Sequence, residues 1–229
     1  MIEKILPPQV AVAEAFHDPV DAALFPGEEE LIRNSVESRR KEFITARWCA
    51  RRALGELGLA PVPILKGERG EPIWPGGVVG SMTHCAGYRA AAVARREDLL
   101  SVGMDAEPHE PLPDGVHETI ALPTEQQRER ELCRAAPEIR WDRLLFSAKE
   151  SVYKAWFPLT HRWLGFEQAD IVLHLDGTFT AELLIPATEP DPAAWATVTP
   201  TGFRGRWLVT DGLVATAIVV ENEPDTPTG

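Results

Sequence analysis

Three short stretches of this chain carry side chains suited to chemistry on phosphate. The first is Gly103-Met104-Asp105-Ala106-Glu107, which follows the apolar run Leu99–Val102. In an extended strand alternate side chains share a face, so Asp105 and Glu107 point the same way, about 7 Å apart. Two carboxylates so placed suit a hard divalent cation such as Mg²⁺, which takes one or two carboxylates, waters and phosphate oxygens. Two solvated acids at a strand end give the same pattern, and D-x-E alone leaves both readings open. A strand-end carboxylate contributes little to a core, so Asp105→Ala is expected to abolish turnover and spare the fold.

The second stretch runs from Trp141 to Lys154 and ends Lys149-Glu150-Ser151-Val152-Tyr153-Lys154. On a helix Glu150 and Lys154 are neighbours. A surface ion pair has the same spacing, but the dense apolar residues around this one point to charges lying in a cleft. One functional account has Glu150 completing a metal site and Lys149 and Lys154 facing phosphates. The third stretch is Val79-Gly80-Ser81-Met82-Thr83-His84-Cys85, preceded by the loop Lys66-Gly67-Glu68-Arg69. Ser81, Thr83 and His84 offer hydrogen-bond donors to phosphate oxygens, although a lone histidine is more often a satisfied structural residue. Neither a P-loop, a dinucleotide-binding glycine motif nor a serine-hydrolase elbow occurs.

The elements that must position these groups are legible in outline. A helix is predicted from Ser38 to Leu54, where Phe43, Ile44, Trp48 and Leu54 recur at helical spacing without Gly or Pro. Strands are predicted at Val78–Thr83, Arg89–Arg95 and Leu100–Ala106, and a linker at Glu107–Leu122. A helix follows from Trp141 to Trp156, with Leu145, Ala148, Val152 and Trp156 on its apolar face. Ile171–Ile185 and Arg206–Glu221 each read as strand, Asp-Gly turn, strand, and Glu221–Gly229 reads as a frayed tail. A helix-rich start to about Gly58, then helix and strands again, gives an α+β fold, read as a duplicated unit.

Charge sharpens the picture. The 229 residues carry a formal net charge of −12, yet residues 39–52 hold six bases and one acid. The total argues against nucleic acid, which is bound by neutralising phosphates. The local excess suits a small anion, with Arg40, Arg47 and Arg51 sharing one helix face, although a solvated charge run is the commoner meaning. No apolar run reaches the ~20 residues of a membrane helix, and the start lacks a signal-peptide pattern, so a cytoplasmic protein is expected. Three scattered cysteines argue against a disulfide framework.

Together Gly80–His84, Gly103–Glu107 and Trp141–Lys154, in this order and separation, resemble the Sfp-type 4'-phosphopantetheinyl transferases, most closely the actinobacterial members. Similarity is continuous from about Glu28 to Phe166. The resemblance implies a pseudo-dimer of two α+β halves with antiparallel sheets, divided here as 1–108 and 109–229, with coenzyme A in the cleft between them. It implies transfer of phosphopantetheine from coenzyme A to a serine of an apo acyl or peptidyl carrier protein, in fatty-acid, polyketide, peptide or siderophore assembly. Adenosine 3',5'-bisphosphate is released. Carried over by motif, Asp105, Glu107 and Glu150 would bind Mg²⁺, with Mn²⁺ as a substitute, and Glu150 would serve as base. Lys154 would stabilise the leaving phosphate, and Lys149 and His84 would hold diphosphate oxygens. Arg39, Arg47 and the loop Lys66, Gly67, Glu68 and Arg69 would contact the 3'-phosphate and adenine end, with Ser81 and Thr83 nearby. Many relatives flank the family aspartate with bulky aliphatic residues; here Ala106 follows it and offers no ligand.

A monomer is expected, since the shorter trimeric carrier-protein synthases need a subunit interface to form their cleft. Leu112, Val116 and Leu122 are the expected carrier contacts. A rival enzyme is an Mg²⁺-dependent phosphohydrolase of coenzyme A or a nucleotide. A second rival is a coenzyme A-binding scaffold, against which the complete acid and lysine set argues.

Overall fold

The structure is a computed structural model that describes residues 1–185 and 199–222. Two long helices, each lying on an antiparallel sheet, organise it. The chain opens with a short 3-10 turn and β1 (Ala11–Ala15), so the expected helix-rich start is instead a strand and a long irregular segment leading to α1 (Glu37–Glu56). The absence of Gly and Pro carries α1 to Glu56, and Gly58, at φ 73°, ends it with the Leu59 amide bonded back to the Leu54 carbonyl. A two-stranded ribbon follows, β2 (Leu65–Lys66) and β3 (Pro72–Ile73), then β4 (Val78–Cys85), β5 (Tyr88–Arg95) and β6 (Leu99–Pro108). The order β1-β5-β4 forms the first sheet, on which α1 buries Cys49, Ala50, Ala53 and Leu54 against Ala91 and Val93.

The predicted linker is not wholly irregular. It contains α2 (Val116–Ile120) and leads into α3 (Pro123–Ala135), whose few apolar residues gave no helical stripe. Next come α4 (Trp141–Thr160), β7 (Ala169–Leu173), β8 (Thr178–Leu183), β9 (Gly202–Thr210) and β10 (Leu213–Glu221). The second sheet has the order β6-β10-β9-β8-β7. β6, placed by the expected division at 108 in the first half, hydrogen-bonds in this second sheet. The β9–β10 turn uses Asp211 and Gly212, both at positive φ, as a two-residue hairpin with the strands' own twist requires. The predicted tail lies, from residue 223, outside the described residues.

The apolar face read for α4 is buried: Leu145, Ala148, Val152 and Trp156 pack with Ile171, Phe179 and Trp207. Between the sheets the β5 alanines Ala90, Ala92 and Ala94 share a core with Val79 of β4, Met104 and Ala106 of β6 and Ala215 of β10. α4 approaches β6 closely at Gly103, where a methyl group would come within 2.2 Å of the Ser151 carbonyl oxygen. That approach sets Asp105, two residues on, against the middle of α4. No helix among the described residues is long and apolar enough to cross a membrane.

Candidate active site

A cleft of about 660 Å³ opens between the halves, lined by α1, the β2–β3 ribbon, β4, β6 and α4. Its floor is Asp105, which is 4% exposed. One carboxylate oxygen, Oδ1, accepts hydrogen bonds from Lys154 Nζ at 2.7 Å and from Thr83 Oγ1 at 3.1 Å. The other, Oδ2, is buried with no partner among the described residues. Thr83 and Ser81 also tie β4 to β6, since Thr83 Oγ1 accepts from the Ala106 amide and Ser81 Oγ from the Met104 amide. Two of the expected phosphate donors therefore spend their hydroxyls on fixing the strand that carries the acid.

Glu107 and Glu150 flank Asp105 on the cleft wall. Burial, with the Asp105 charge, pushes the Glu107 carboxyl up to about 7 although Arg143 pulls it down. Burial raises Glu150 too, with Lys154 opposing and Asp105 adding to the rise. Burial would lower Lys154, but Asp105 and Glu150 outweigh it and hold the ammonium charged. Among the described residues no three carboxylate, imidazole or thiolate groups form a ready-made metal cluster. The donor set nevertheless suits a hard cation: an orphaned buried oxygen on Asp105, and two neighbouring carboxyls whose pKa burial and the Asp105 charge raise, so that a nearby cation would relieve them. Mg²⁺ characteristically arrives with phosphate and water and does not need an all-protein cage.

The opposite wall is cationic. Arg39, Arg47, Lys66 and Arg69 line it, whereas Gly67 and Glu68 do not. Arg39 Nη1 donates to His84 Nε2 at 2.5 Å and to Glu42 at 3.3 Å. Burial, then the Arg39 charge, lowers His84 to about 4, so the ring is a neutral acceptor for the guanidinium. Arg47 donates from Nε to the Ile64 carbonyl at 2.8 Å and lies 3.2 Å over the Phe43 ring. Arg51, expected on the same wall, is instead absorbed by buried Glu28, at 2.9 Å, with Phe25 beneath it. The acid that neutralises it comes from the segment before the helix, where helical spacing gives no hint of it.

Lys149 requires a larger correction. Its ammonium lies in the core, donating to the carbonyls of Phe166 at 2.8 Å and Ala169 at 2.7 Å and paired with Glu125 at 2.9 Å. One residue along a helix turns the side chain by about 100°, so Lys149 and Glu150 cannot face the same space. Both partners of the Lys149–Glu125 pair are 1% exposed, and Glu125 also accepts from the Ile171 amide at 2.7 Å. Lys149 faces no phosphate.

Two family models match this chain. The 4'-phosphopantetheinyl transferase N-terminal domain covers residues 27–94. The 4'-phosphopantetheinyl transferase superfamily covers residues 101–210, including every acid of the site. The chain belongs to the 4'-phosphopantetheinyl transferase superfamily. It is 52% identical to the 4'-phosphopantetheinyl transferase Npt of Nocardia iowensis, over 95% of this chain and 99% of that one. It is 50% identical to PptT of Mycobacterium tuberculosis, over 96% and 98% of the two chains. Enterobactin synthase component D of Salmonella typhi is more distant, at 32% over 86% of this chain and 81% of that one.

Within this transferase fold, Tyr153 is a cleft residue that no motif above singles out. It lines the cleft with its hydroxyl buried and unpartnered among the described residues, while its ring packs against Trp163 at 5.2 Å. Its position three residues after Glu150, on the same helix face, was the available signal. The expected carrier contacts fare less well: Leu112 is 9% exposed and sits in the core, and Val116 packs against it.

Proposed function

We propose that the protein moves 4'-phosphopantetheine from coenzyme A to a serine of an apo carrier protein and releases adenosine 3',5'-bisphosphate. The observation that supports this most is the meeting of Asp105, Glu150 and Lys154 on one side of a cleft whose other side is Arg39, Arg47 and Lys66. A diphosphate ester fits that polarity. The cations hold its nucleotide end, and the acids lie where a diphosphate-bound cation would be gripped. Asp105, Glu107 and Glu150 would hold Mg²⁺, which supplies charge neutralisation of the diphosphate when bound.

The residues of this chain then do the following. The serine Oγ attacks the phosphorus that bears the pantetheine, and the bond from that phosphorus to the bridging oxygen breaks. Glu150 accepts the serine proton, directly or through one water. Its raised pKa makes it a better base than an ordinary carboxylate, and a well-placed base contributes about 10²–10⁴-fold. Lys154 faces the oxygen that leaves and neutralises its charge. Arg39, Arg47 and Lys66 fix the nucleotide so that attack is in line, which supplies most of what phosphoryl-type transfer needs. His84, neutral, accepts from Arg39 at Nε2, and its Nδ1, 3.6 Å from the Glu42 carboxylate, is the ring nitrogen that carries the proton. The protein acts as a monomer and in the cytoplasm, and its three free cysteines are in keeping with that compartment.

The test is to incubate the protein with coenzyme A, MgCl₂ and apo carrier proteins, and to weigh the carriers. A carrier heavier by one phosphopantetheine is expected, with equimolar nucleotide. Nucleotide released into water while every carrier keeps its mass would favour the phosphohydrolase.

A further inference from the structure

Arg143 lies on α4 two turns before Glu150, outside the wall of the cleft, and its guanidinium is nearly spent on one short segment. Nη1 donates to Glu107 Oε2 at 3.1 Å, Nε to the Glu110 carbonyl at 3.1 Å and Nη2 to the Pro111 carbonyl at 2.7 Å. Neighbouring residues join in: Asp142 Oδ2 accepts from the Leu112 amide at 2.8 Å, and His109 Nε2 accepts from the Arg140 amide at 3.0 Å. The first turn of α4 thus straps down the chain that leaves β6, while the Glu107 backbone stays opposite Val214 in the sheet. The Arg143 and Glu107 side chains are 14% and 20% exposed, so water competes little for this grip.

The grip has a chemical consequence. A carboxylate whose Oε2 already faces a guanidinium cannot clasp a cation with both oxygens, because the cation would then stand beside Arg143 as a like charge. Glu107 is left with one oxygen, Oε1. Mg²⁺ takes six ligands and accepts carboxylates singly, whereas Ca²⁺ takes six to eight and is suited by two-oxygen carboxylates. We propose that Arg143 is a positioning residue that restricts Glu107 to a single ligating oxygen and so makes the site select Mg²⁺ over Ca²⁺. This rests on the cation reading given under the proposed function.

The test is calorimetric titration of MgCl₂ and of CaCl₂ into coenzyme A-saturated protein, wild type and Arg143→Met, with melting temperatures alongside. Loss of an outer partner of a ligand costs about 10–100-fold in metal affinity, so Mg²⁺ affinity should fall by about 10-fold. Ca²⁺ affinity should hold or rise, so the Mg²⁺ to Ca²⁺ ratio drops. An Arg143→Met ratio equal to wild type overturns the proposal. If Arg143→Met does not fold, Arg143→Lys, which keeps the charge but not the fork, is expected to lower the ratio by a smaller factor. An unchanged ratio there is equally fatal. Glu107→Gln, which keeps an acceptor for Arg143 but loses the charged ligand, should weaken Mg²⁺ without moving the melting temperature; full Mg²⁺ affinity would overturn the proposal. Wild-type protein that takes up neither cation overturns the cation reading itself, and it does so before any substitution is made.

Discussion

α1 and α4 are both twenty residues long, both rest on antiparallel sheets, and both carry a buried cation that a buried glutamate holds away from the cleft. On α1 it is Arg51, held by buried Glu28; on α4 it is Lys149, held by buried Glu125. In each pair the glutamate lies on the segment before its helix and also accepts a backbone amide, from Ile64 in one case and Ile171 in the other. The helices differ in what they show the cleft. α1 contributes the bases Arg39 and Arg47, whereas α4 contributes an acid and a base, Glu150 and Lys154, four residues apart. A wall of one sign can hold an anion; only the mixed wall can also move a proton. On the proposed function, the first half would bind and the second half would react.

Substitutions that separate binding, reaction and support can break this division. The largest effect is expected from Asp105→Ala, which should cut cation-dependent turnover by at least about 10²-fold. It should also lower the melting temperature, since Asp105 is buried and partners Lys154 and Thr83; the structure does not support the expectation of an unaffected fold. Lys149→Met sharpens the contrast from the other side. Leaving Glu125 charged in the core should cost about 3–5 kcal/mol of stability, read by denaturant unfolding, while kcat per folded molecule stays at the wild-type value. A fall in kcat with stability unchanged would return Lys149 to the site. Arg39→Ala should raise the coenzyme A KM by about 10-fold, the worth of one charge-assisted hydrogen bond, and leave kcat nearly unchanged.

The smallest effect is a pH one. Glu150 must be ionised to accept a proton, and its pKa is raised, so kcat/KM should fall with decreasing pH from a point above the ordinary carboxylate range. His84, at about 4, is already neutral between pH 5 and 8 and should add no limb there. His84→Gln is therefore expected to weaken coenzyme A binding while the position of the acid limb stays put, as a pH–rate series on both proteins would show.

The groups proposed to react were legible because local periodicity alone decides their facing. Asp105 and Glu107 alternate on one strand, Glu150 and Lys154 share one helix face, and the Asp-Gly turns declared the hairpins. What stayed hidden depends on partners remote in sequence. Arg51 and Lys149 looked like phosphate ligands until Glu28 and Glu125 were brought to them, 23 and 24 residues away. β6 looked like part of the first half because it follows β5 directly, yet β10 supplies its hydrogen-bond partner from more than a hundred residues on. α3 gave no signal because its exposed charges leave little apolar stripe, and its most important residue is the buried acid Glu125.

The division between binding and reaction meets its most direct test in Glu150→Gln, with the coenzyme A dissociation constant measured beside the single-turnover rate of carrier modification. The substituted amide would keep the shape of the side chain and lose the base. Coenzyme A binding within about two-fold of wild type and a rate lower by about 10²–10⁴-fold are expected. A full rate, or a rate lost only in proportion to lost binding, would contradict the assignment of reaction to α4.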